Sequence, residues 1–213
     1  MYNEEQVISQ VVTDLRSIFP HVICIDDGST DQSAAKALEA GALVLRHSVN
    51  IGQGAALSTG FSWVQSQSQF SYVVTFDADG QHRPDDALRL VTELVHKQVD
   101  VVFASRFLEQ DQATIPLAKR LVLKTVTKIT KSLTDMELSD AHNGLRALTV
   151  DATRAIHLTQ NGMAHATQFV SLVLQSNLKY VEIPVTILYT PYSRSKGQSI
   201  LNSINIALDL IWG

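Results

Sequence analysis

Short apolar runs rich in β-branched residues alternate with helical patterns over the first half of the chain, and this alternation limits the folds open to it. The runs that predict strands cover residues 21–26, 42–46, 72–77 and 99–105. The helical patterns between them cover residues 32–40, 54–67 and 84–96. Strands that alternate with helices pair in parallel through right-handed crossovers. The sequence therefore predicts an α/β fold with a mainly parallel sheet flanked by helices.

The ends and the second half of the chain complete this pattern less regularly. An amphipathic helix is predicted soon after the start, with Asn3 as its N-cap. Further strands are predicted at 143–149 and 180–187, and further helices at 116–133, 151–157, 164–175 and 198–212. Because 213 residues suit one core and no repeat or linker is visible, we expect a single domain over residues 1–213.

Composition excludes several classes of protein. With 45% apolar and 18% charged residues, the chain is neither disordered nor a coiled coil. A net charge of −4 argues against a protein that holds nucleic acid by its overall field. The single cysteine, Cys24, leaves no internal disulfide, and no apolar run reaches the ~20 residues of a membrane span. We expect a cytoplasmic protein, soluble or resting on the inner face of the cytoplasmic membrane.

The strongest chemical signal is an acidic turn after the third predicted strand, where Asp77 and Asp79 stand one residue apart. Ligands of open α/β sheets bind at the carboxyl ends of strands. Mg²⁺ and Mn²⁺ prefer oxygen ligands and often keep substrate phosphates in their coordination shell. The pattern predicts a divalent-cation site, completed by Gln81 or His82. The alternative is an acidic turn that only caps the following helix.

Two other loops follow predicted strands. Asp26 and Asp27 are placed to accept hydrogen bonds from a nucleoside, with Gly28 letting the backbone turn, or the loop simply caps the next helix. Gly52 and Gly54 stand at a helix start that can present backbone N–H groups to an anion. This segment lacks the full P-loop pattern, which argues against an ATPase.

Five motifs together resemble a known family. They lie at residues 2–5, 26–31, 50–54, 77–82 and 104–107. Their order and spacing are similar to those of the family 2 glycosyltransferases with a GT-A fold, and the chain most resembles the dolichyl-phosphate mannose synthase-like branch. The resemblance implies a Rossmann-like sheet that is mixed but mainly parallel and is flanked by helices. The similarity continues through residues 139–147 and 183–185.

The resemblance implies an activity. A sugar would pass from a nucleotide-diphosphate donor to a polyprenyl phosphate or a glycolipid of envelope polysaccharide synthesis, by metal-assisted inverting displacement. Residues 1–106 would form the donor half and 107–213 the acceptor half. Two alternatives stay open: transfer to a saccharide hydroxyl with Asp140 as base, and a catalytically silent nucleotide-sugar-binding subunit that works through a separate membrane protein.

The resemblance also implies site residues. Asp77, Asp79 and Gln81 would hold Mg²⁺ or Mn²⁺. Arg106, Arg120 and Asp140 would act in catalysis, the arginines on phosphate and Asp140 near the acceptor. The implied substrate-binding residues are Asn3, Glu4, Asp26, Asp27, Gly28, Gly52, Gly54, Asp77, Arg146, Arg194 and Lys196.

Some segments allow two interpretations. Residues 189–199 form either a loop that closes over the donor, with Arg194 or Lys196 reaching the diphosphate, or an ordinary surface loop. His165 lies near the acceptor or serves packing. The basic helix at 116–133 is solvated or meets lipid headgroups, and the helix at 198–212 packs on the core or lies at a membrane interface. The family also places an apolar strand before Tyr2, so we expect the sheet to lack its first strand.

Overall fold

The computed structural model describes residues 1–108, 138–162 and 164–196. The predicted helices at 116–133 and 198–212, together with Arg120, lie outside the described residues. Arg194 and Lys196 belong to a described helix, but their side chains are outside the description. None of the helices in the described ranges has the length and apolar character that a bilayer crossing requires.

The described residues form helices and strands in nearly strict alternation. In chain order these are α1 (Ile8–Arg16), β1 (Ile23–Asp26), α2 (Ser33–Glu39), β2 (Leu43–Arg46), α3 (Gln53–Gln65), β3 (Tyr72–Thr75), α4 (Pro84–Lys97), β4 (Val101–Ser105), β5 (Arg146–Thr149), α5 (Val150–Ala155), α6 (His165–Gln175), β6 (Tyr180–Pro184) and α7 (Pro191–Lys196). Each strand lies within a range that the sequence predicted, which confirms the α/β fold.

The strands form two sheets within the described residues, a parallel pair β1–β2 and a four-stranded sheet in the order β3-β5-β4-β6. β5 runs antiparallel to both of its neighbours, whereas β4 and β6 are parallel. The backbone of Met1 lies along β1, because its ammonium group donates to the Ile25 carbonyl at 2.7 Å and its carbonyl accepts from Asp27 N–H at 2.9 Å. The sheet is therefore mixed, as the resemblance implies.

Helices cover both faces of the four-stranded sheet. Val101 and Phe103 of β4 pack into a cluster with Phe169 of α6, whereas Val102 packs with Leu90 of α4 in a second cluster. Successive side chains of a strand point to opposite faces, so β4 contributes to both clusters. Strands buried on both faces appear in sequence as continuous apolar runs, which is why β4 was predicted from sequence.

The N-terminal turn differs from the prediction. Asn3 does not cap α1, whose N-cap position is Val7. Instead Asn3 has a left-handed backbone (φ 53°), and its side-chain oxygen accepts from Thr30 N–H at 2.9 Å. Asparagine tolerates this conformation because its short side chain bonds nearby backbone groups. The side chain thus ties the start of the chain to the loop after β1.

A short helix, α7, occupies part of the segment for which the sequence predicted a loop. Thr190 precedes it, and the Thr190 hydroxyl accepts from Ser193 N–H at 3.0 Å. Pro191 stands at its first position, where a missing N–H costs nothing. A threonine cap followed by proline is a helix-start signal that the sequence contained.

Gly52 and Gly54 allow a close approach between the start of α3 and residues 160–162. A Cβ on Gly52 would overlap the Asn161 carbonyl oxygen, and one on Gly54 would overlap the Gln160 carbonyl oxygen. Gly54 N–H donates to Asn161 O at 2.8 Å, and Gly52 N–H donates to the Asp27 carboxylate at 2.7 Å. These two N–H groups therefore have protein acceptors, and the glycines join the start of α3 to residues 160–162.

Replacement of Gly54 tests this packing. Alanine normally stabilises a helix by up to about 1 kcal/mol relative to glycine, but here the added Cβ meets backbone that cannot move aside cheaply. We expect Gly54→Ala to lower the free energy of unfolding by about 1–3 kcal/mol in urea denaturation. Gly162→Ala is the matched control, because a Cβ there meets no atom within 4 Å. Equal stability of the two variants would contradict the packing argument.

Candidate active site

The candidate site lies where the carboxyl ends of β3 and β4 meet the start of β5. Arg146, the first residue of β5, is in register with Thr75 of β3 and Phe103 of β4. Because β5 is antiparallel to both strands, the turn before Arg146 lies beside the segments that follow β3 and β4. The acidic turn, Arg106 and Asp140 are brought together in this way.

The acidic turn after β3 holds its two carboxylates in different environments. Gln53 Nε2 donates to Asp77 Oδ1 at 3.0 Å, and His82 Nε2 lies 3.2 Å from Asp77 Oδ2. Burial tends to raise the pKa of Asp77, but the His82 hydrogen bond and nearby positive charge outweigh it and lower the pKa. The pKa of Asp79 is raised by burial and by the charge of Asp77. Asp77 is therefore the better-satisfied carboxylate of the pair.

The donor set of this turn suits a hard divalent cation. Two carboxylates that disfavour each other's charge are stabilised when such a cation lies against both, and oxygen ligands are those that Mg²⁺ and Mn²⁺ prefer. Asp79 has one described bond, from Gln81 N–H to Oδ1 at 3.0 Å. Across the described ranges, no three His, Cys, Asp or Glu side chains are grouped so that they could hold a metal ion together. A cation here would need further ligands, such as an amide or phosphate oxygens.

Arg106 and Asp140 form an ion pair at the end of β4. Arg106 Nε lies 2.6 Å from Asp140 Oδ2, and the backbone N–H of Arg106 donates to the same oxygen at 3.1 Å. Asn143 Nδ2 donates to it as well, at 3.2 Å. Burial tends to lower the pKa of Arg106, but the charge of Asp140 outweighs it and raises the pKa. The two predicted catalytic residues thus act as one unit.

Arg146 lies near Asp140 of this pair and is almost fully buried, at 1% exposure. Its guanidinium carbon lies 4.3 Å from the ring centroid of Phe169, and Nη2 donates to Ala141 O at 3.3 Å. Burial lowers its pKa to about 10, opposed by the charges of Asp77 and Asp140. Its Nε is without a hydrogen-bond partner in the part of the chain that the structure describes. The predicted substrate contact of Arg146 stays a prediction, since the side chain lies below the surface.

Asp26 and Asp27 organise the loops after β1 and β2. Both oxygens of Asp27 accept backbone bonds, from Ile51 N–H at 3.0 Å and Gly52 N–H at 2.7 Å, and His47 Nδ1 lies 2.7 Å from Oδ1. Asp26 Oδ2 lies 3.1 Å from Arg46 Nε. These carboxylates, which the sequence predicted as nucleoside contacts, already bind protein groups.

Gly28 lets two loops cross beside Asp27. It has φ 73°, and a Cβ on it would overlap the backbone of Val49 and Asn50. Only glycine adopts this conformation and leaves this space without strain. Gly28 therefore fixes the path of the loop that carries Gly52.

Glu4 contacts the C-terminal end of the described chain. The Tyr192 hydroxyl donates to Glu4 Oε2 at 2.7 Å, and burial together with this bond raises the pKa of Tyr192. Tyr192 lies in α7, within the segment for which the sequence left open a closing loop or an ordinary surface loop. This segment is thus in contact with the N-terminal turn.

Several residues of the site were missed by the sequence reasoning. Gln53 donates a hydrogen bond to Asp77, and the Asp77 carboxylate lies so close to Gly144 that a Cβ on this glycine would overlap it. Glu182 bonds the turn that carries Asp140. His142 also lies in this region, where burial lowers its pKa to about 4. His165, which the sequence placed either near the acceptor or in packing, is buried, and burial lowers its pKa. A charged residue inside an apolar strand, as at Glu182, was the signal available in the sequence.

The bonds of Asp27 predict a pH-dependent contribution to stability. Burial tends to raise its pKa, but the bonds from Ile51, His47 and Gly52 lower it below the ordinary value of 3.8. A carboxylate with a lowered folded-state pKa stabilises fully above its unfolded pKa, and the effect is lost as pH falls through the folded pKa. We expect Asp27→Asn to cost about 1–3 kcal/mol near neutral pH.

This difference should shrink as the pH falls from about 5 toward 3, in urea denaturation measured at each pH. Asp151→Asn is the control, because that side chain is 93% exposed. A cost of Asp27→Asn that stays constant over this range would contradict the argument.

Comparisons with known proteins agree with this geometry. The family model for glycosyl transferase family 2 matches residues 1–156. A UDP-N-acetylglucosamine–dolichyl-phosphate N-acetylglucosaminyltransferase of Methanococcus voltae is 27% identical, covering 99% of this chain and 92% of that protein. A polyprenol monophosphomannose synthase of Mycolicibacterium smegmatis is 27% identical, over 96% of this chain and 80% of that protein.

A solved structure shows the same fold. The crystal structure of glucosyl-3-phosphoglycerate synthase from Mycobacterium tuberculosis, in complex with Mn²⁺, UDP and glucosyl-3-phosphoglycerate, superposes with a TM-score of 0.64 and 19% identity. The match covers 98% of this chain and 76% of that one. Since the family model spans well over half of the sequence, the chain belongs to glycosyl transferase family 2 and is a glycosyltransferase with a GT-A fold.

Proposed function

We propose that this glycosyltransferase moves a sugar from a nucleotide-diphosphate donor to a polyprenyl phosphate or a related glycolipid of the cell envelope, with inversion at the sugar. One observation carries the proposal: the acidic turn after β3 and the Arg106–Asp140 pair after β4 share one electrostatic environment. The charges of both Asp140 and Asp77 raise the pKa of Arg106. The names of the two relatives, one of which contains dolichyl phosphate and the other polyprenol monophosphomannose, support the lipid acceptor.

The donor would lie along the acidic turn. We assign Asp79 and Asp77, with Gln81, to Mg²⁺ or Mn²⁺. When bound, such a cation neutralises the charge that develops on the leaving diphosphate. The structurally similar glucosyl-3-phosphoglycerate synthase, which was crystallised with Mn²⁺ and UDP, supports this assignment. Because Asp77 is already bonded by Gln53 and lies against His82, we assign Asp79 the more direct contact.

The donor loops would be shaped by residues that bind one another. The bonds of Asp26 and Asp27 favour a role in holding the loops around the nucleoside, and Gly28, Gly52 and Gly54 give those loops their path. Asn3 and Glu4 would border the donor from the N-terminal turn. Arg194 and Lys196, at the end of α7, would reach the diphosphate.

The acceptor phosphate would bind at Arg106. A guanidinium carries five N–H donors in a fixed plane, so Arg106 can keep Nε on Asp140 while its other donors meet phosphate oxygens. A lipid phosphate is already an anion, so its oxygen can attack the anomeric carbon without a strong general base. Asp140 would then hold Arg106 in position, Arg146 would supply positive charge from below, and Arg120 would add a second phosphate contact. We propose that the protein works at the membrane surface, where such an acceptor resides.

The metal and donor assignments are tested by turnover. We would incubate the protein with Mn²⁺, a panel of nucleotide sugars and undecaprenyl or dolichyl phosphate, and follow lipid-linked sugar. We expect Asp79→Asn to lower turnover by roughly 100-fold or more, and to remove the Mn²⁺ dependence of donor binding. Asp85→Asn, whose side chain is 76% exposed, should match the wild type.

Full activity of Asp79→Asn would overturn the metal assignment. Donor binding without turnover toward any acceptor would contradict the proposal and favour a silent nucleotide-sugar-binding subunit.

Transfer to a saccharide hydroxyl is the second candidate, because Asp140 is a carboxylate at the site and the three described bonds to that carboxylate all converge on Oδ2. The kinetics of Asp140→Asn separate the two. With a hydroxyl acceptor, loss of the base should lower kcat by roughly 100- to 10,000-fold. With a lipid phosphate, the variant should chiefly raise the acceptor KM, because Arg106 loses its anchor. Donor affinity should stay near the wild-type value in both cases.

A further inference from the structure

Glu182 makes an unusual set of contacts from the middle of β6. Ser139 N–H donates to both of its oxygens, at 2.9 and 3.0 Å, and the Ser139 hydroxyl donates to Oε2 at 2.9 Å. Asp140 N–H donates to Oε1 at 2.9 Å. One carboxylate therefore binds two consecutive residues through three donor groups, and the second of these residues is Asp140.

This arrangement is costly for a strand residue. Glu182 lies between Val181 and Ile183 and is in register with Phe103 of β4. Burial raises its pKa, and the nearby charge of Asp140 also raises it, against the bonds from Ser139 and Asp140. Within the described ranges, no lysine, arginine or histidine forms an ion pair with Glu182. A partly buried carboxylate held by neutral donors alone needs good hydrogen-bond geometry to persist.

The contacts of Glu182 extend to both members of the Arg106–Asp140 pair. On one side, Glu182 fixes the backbone of Asp140, whose Oδ2 accepts from Arg106. On the other side, the Ser139 hydroxyl lies 2.5 Å from the Ser105 hydroxyl, which accepts from Phe107 N–H at 3.1 Å. Ser105 and Phe107 flank Arg106 in sequence. Hydrogen bonds from the backbone on each side of the pair thus lead to one carboxylate, that of Glu182 on β6.

We propose that Glu182 is a positioning residue, which holds the turn of Ser139 and Asp140 so that the Arg106 guanidinium is presented to the acceptor phosphate. The inference rests on the proposed function, because it assigns Glu182 an effect on acceptor use through Asp140 and Arg106. Glu182 touches neither substrate in this assignment.

Glu182→Gln is the sharpest variant. Glutamine keeps the length and shape of the side chain, but one oxygen becomes an NH₂ group that cannot accept from a backbone N–H. A variant of this kind loses a charged hydrogen bond, which is worth roughly 10- to 100-fold in an equilibrium or rate. Glu39→Gln is the matched control, because Glu39 is exposed on α2.

The experiment measures the kinetics of polyprenyl-phosphate glycosylation together with the Kd of the nucleotide sugar in Mn²⁺. We expect Glu182→Gln to lower kcat/KM for the acceptor by roughly 10- to 100-fold, mainly through KM, and to leave the donor Kd within about twofold of wild type. A merely structural role would lower the melting temperature and weaken donor binding as well. If Glu182→Gln does not fold, Ser139→Ala carries the same test, because it removes the hydroxyl bond to Glu182 and the link to Ser105.

A double-mutant cycle with Asp140→Asn decides how Glu182 acts. If Glu182 works through the Arg106–Asp140 pair, the double variant should lose less acceptor kcat/KM than the product of the two single losses. Effects that multiply independently, or wild-type acceptor use by Glu182→Gln beside an impaired Asp140→Asn, would overturn the inference and leave the proposed function intact. Wild-type acceptor use by Asp140→Asn itself would overturn the inference and the role assigned to Asp140, whereas no polyprenyl-phosphate glycosylation by the wild type would overturn the proposed function.

Discussion

The charge of Arg146 is the constraint on which the rest of the site depends. Its guanidinium is buried against the ring of Phe169, and the charges of Asp77 and Asp140 raise its pKa against the effect of burial. A buried charge without such partners would cost several kcal/mol. The antiparallel strand β5, by inserting between β3 and β4, places this cation below the two loops that carry the acids. One buried cation therefore interacts with the carboxylates of both loops, Asp77 after β3 and Asp140 before β5.

The acidic residues of the site fall into two groups: those whose carboxylates hold a loop by hydrogen bonds, and those that can bind a cation. Asp27 and Glu182 accept backbone N–H bonds with both of their carboxylate oxygens, so each of these carboxylates holds a turn in place. Asp79 has a raised pKa and a single described bond to a neighbouring N–H. A carboxylate that already accepts several N–H bonds is a poor ligand for another cation. A carboxylate with few hydrogen bonds and a raised pKa is stabilised more when a cation binds it. The division supports Asp79 as the metal-facing member of the acidic turn.

Much of the fold could be predicted from the sequence, because local patterns determine it. The run at β4 is apolar throughout since both of its faces are covered, and the Asp77–Asp79 turn follows β3 where a parallel sheet places ligands. The antiparallel direction of β5 could not be predicted, because an apolar run does not indicate whether a strand is parallel or antiparallel to its neighbours. The cap expected at Asn3 was wrong because its partner, Thr30, lies 27 residues away in sequence. Tertiary partners of single polar side chains leave no local pattern.

The same limit explains why Glu182 was missed and why the proposed acceptor side is harder to predict from sequence than the proposed donor side. The donor side is built from contiguous turns, each after a strand, so a motif contains most of its geometry. The acceptor side joins Arg106 after β4, Asp140 before β5 and Glu182 within β6, and only the pairing of those strands brings them together. Arg106 can serve two partners at once because its donors point in fixed directions in one plane. Asp140 holds the Arg106 side chain and Glu182 holds the Asp140 backbone, so in the proposed function acceptor recognition depends on how the strands of the sheet pair.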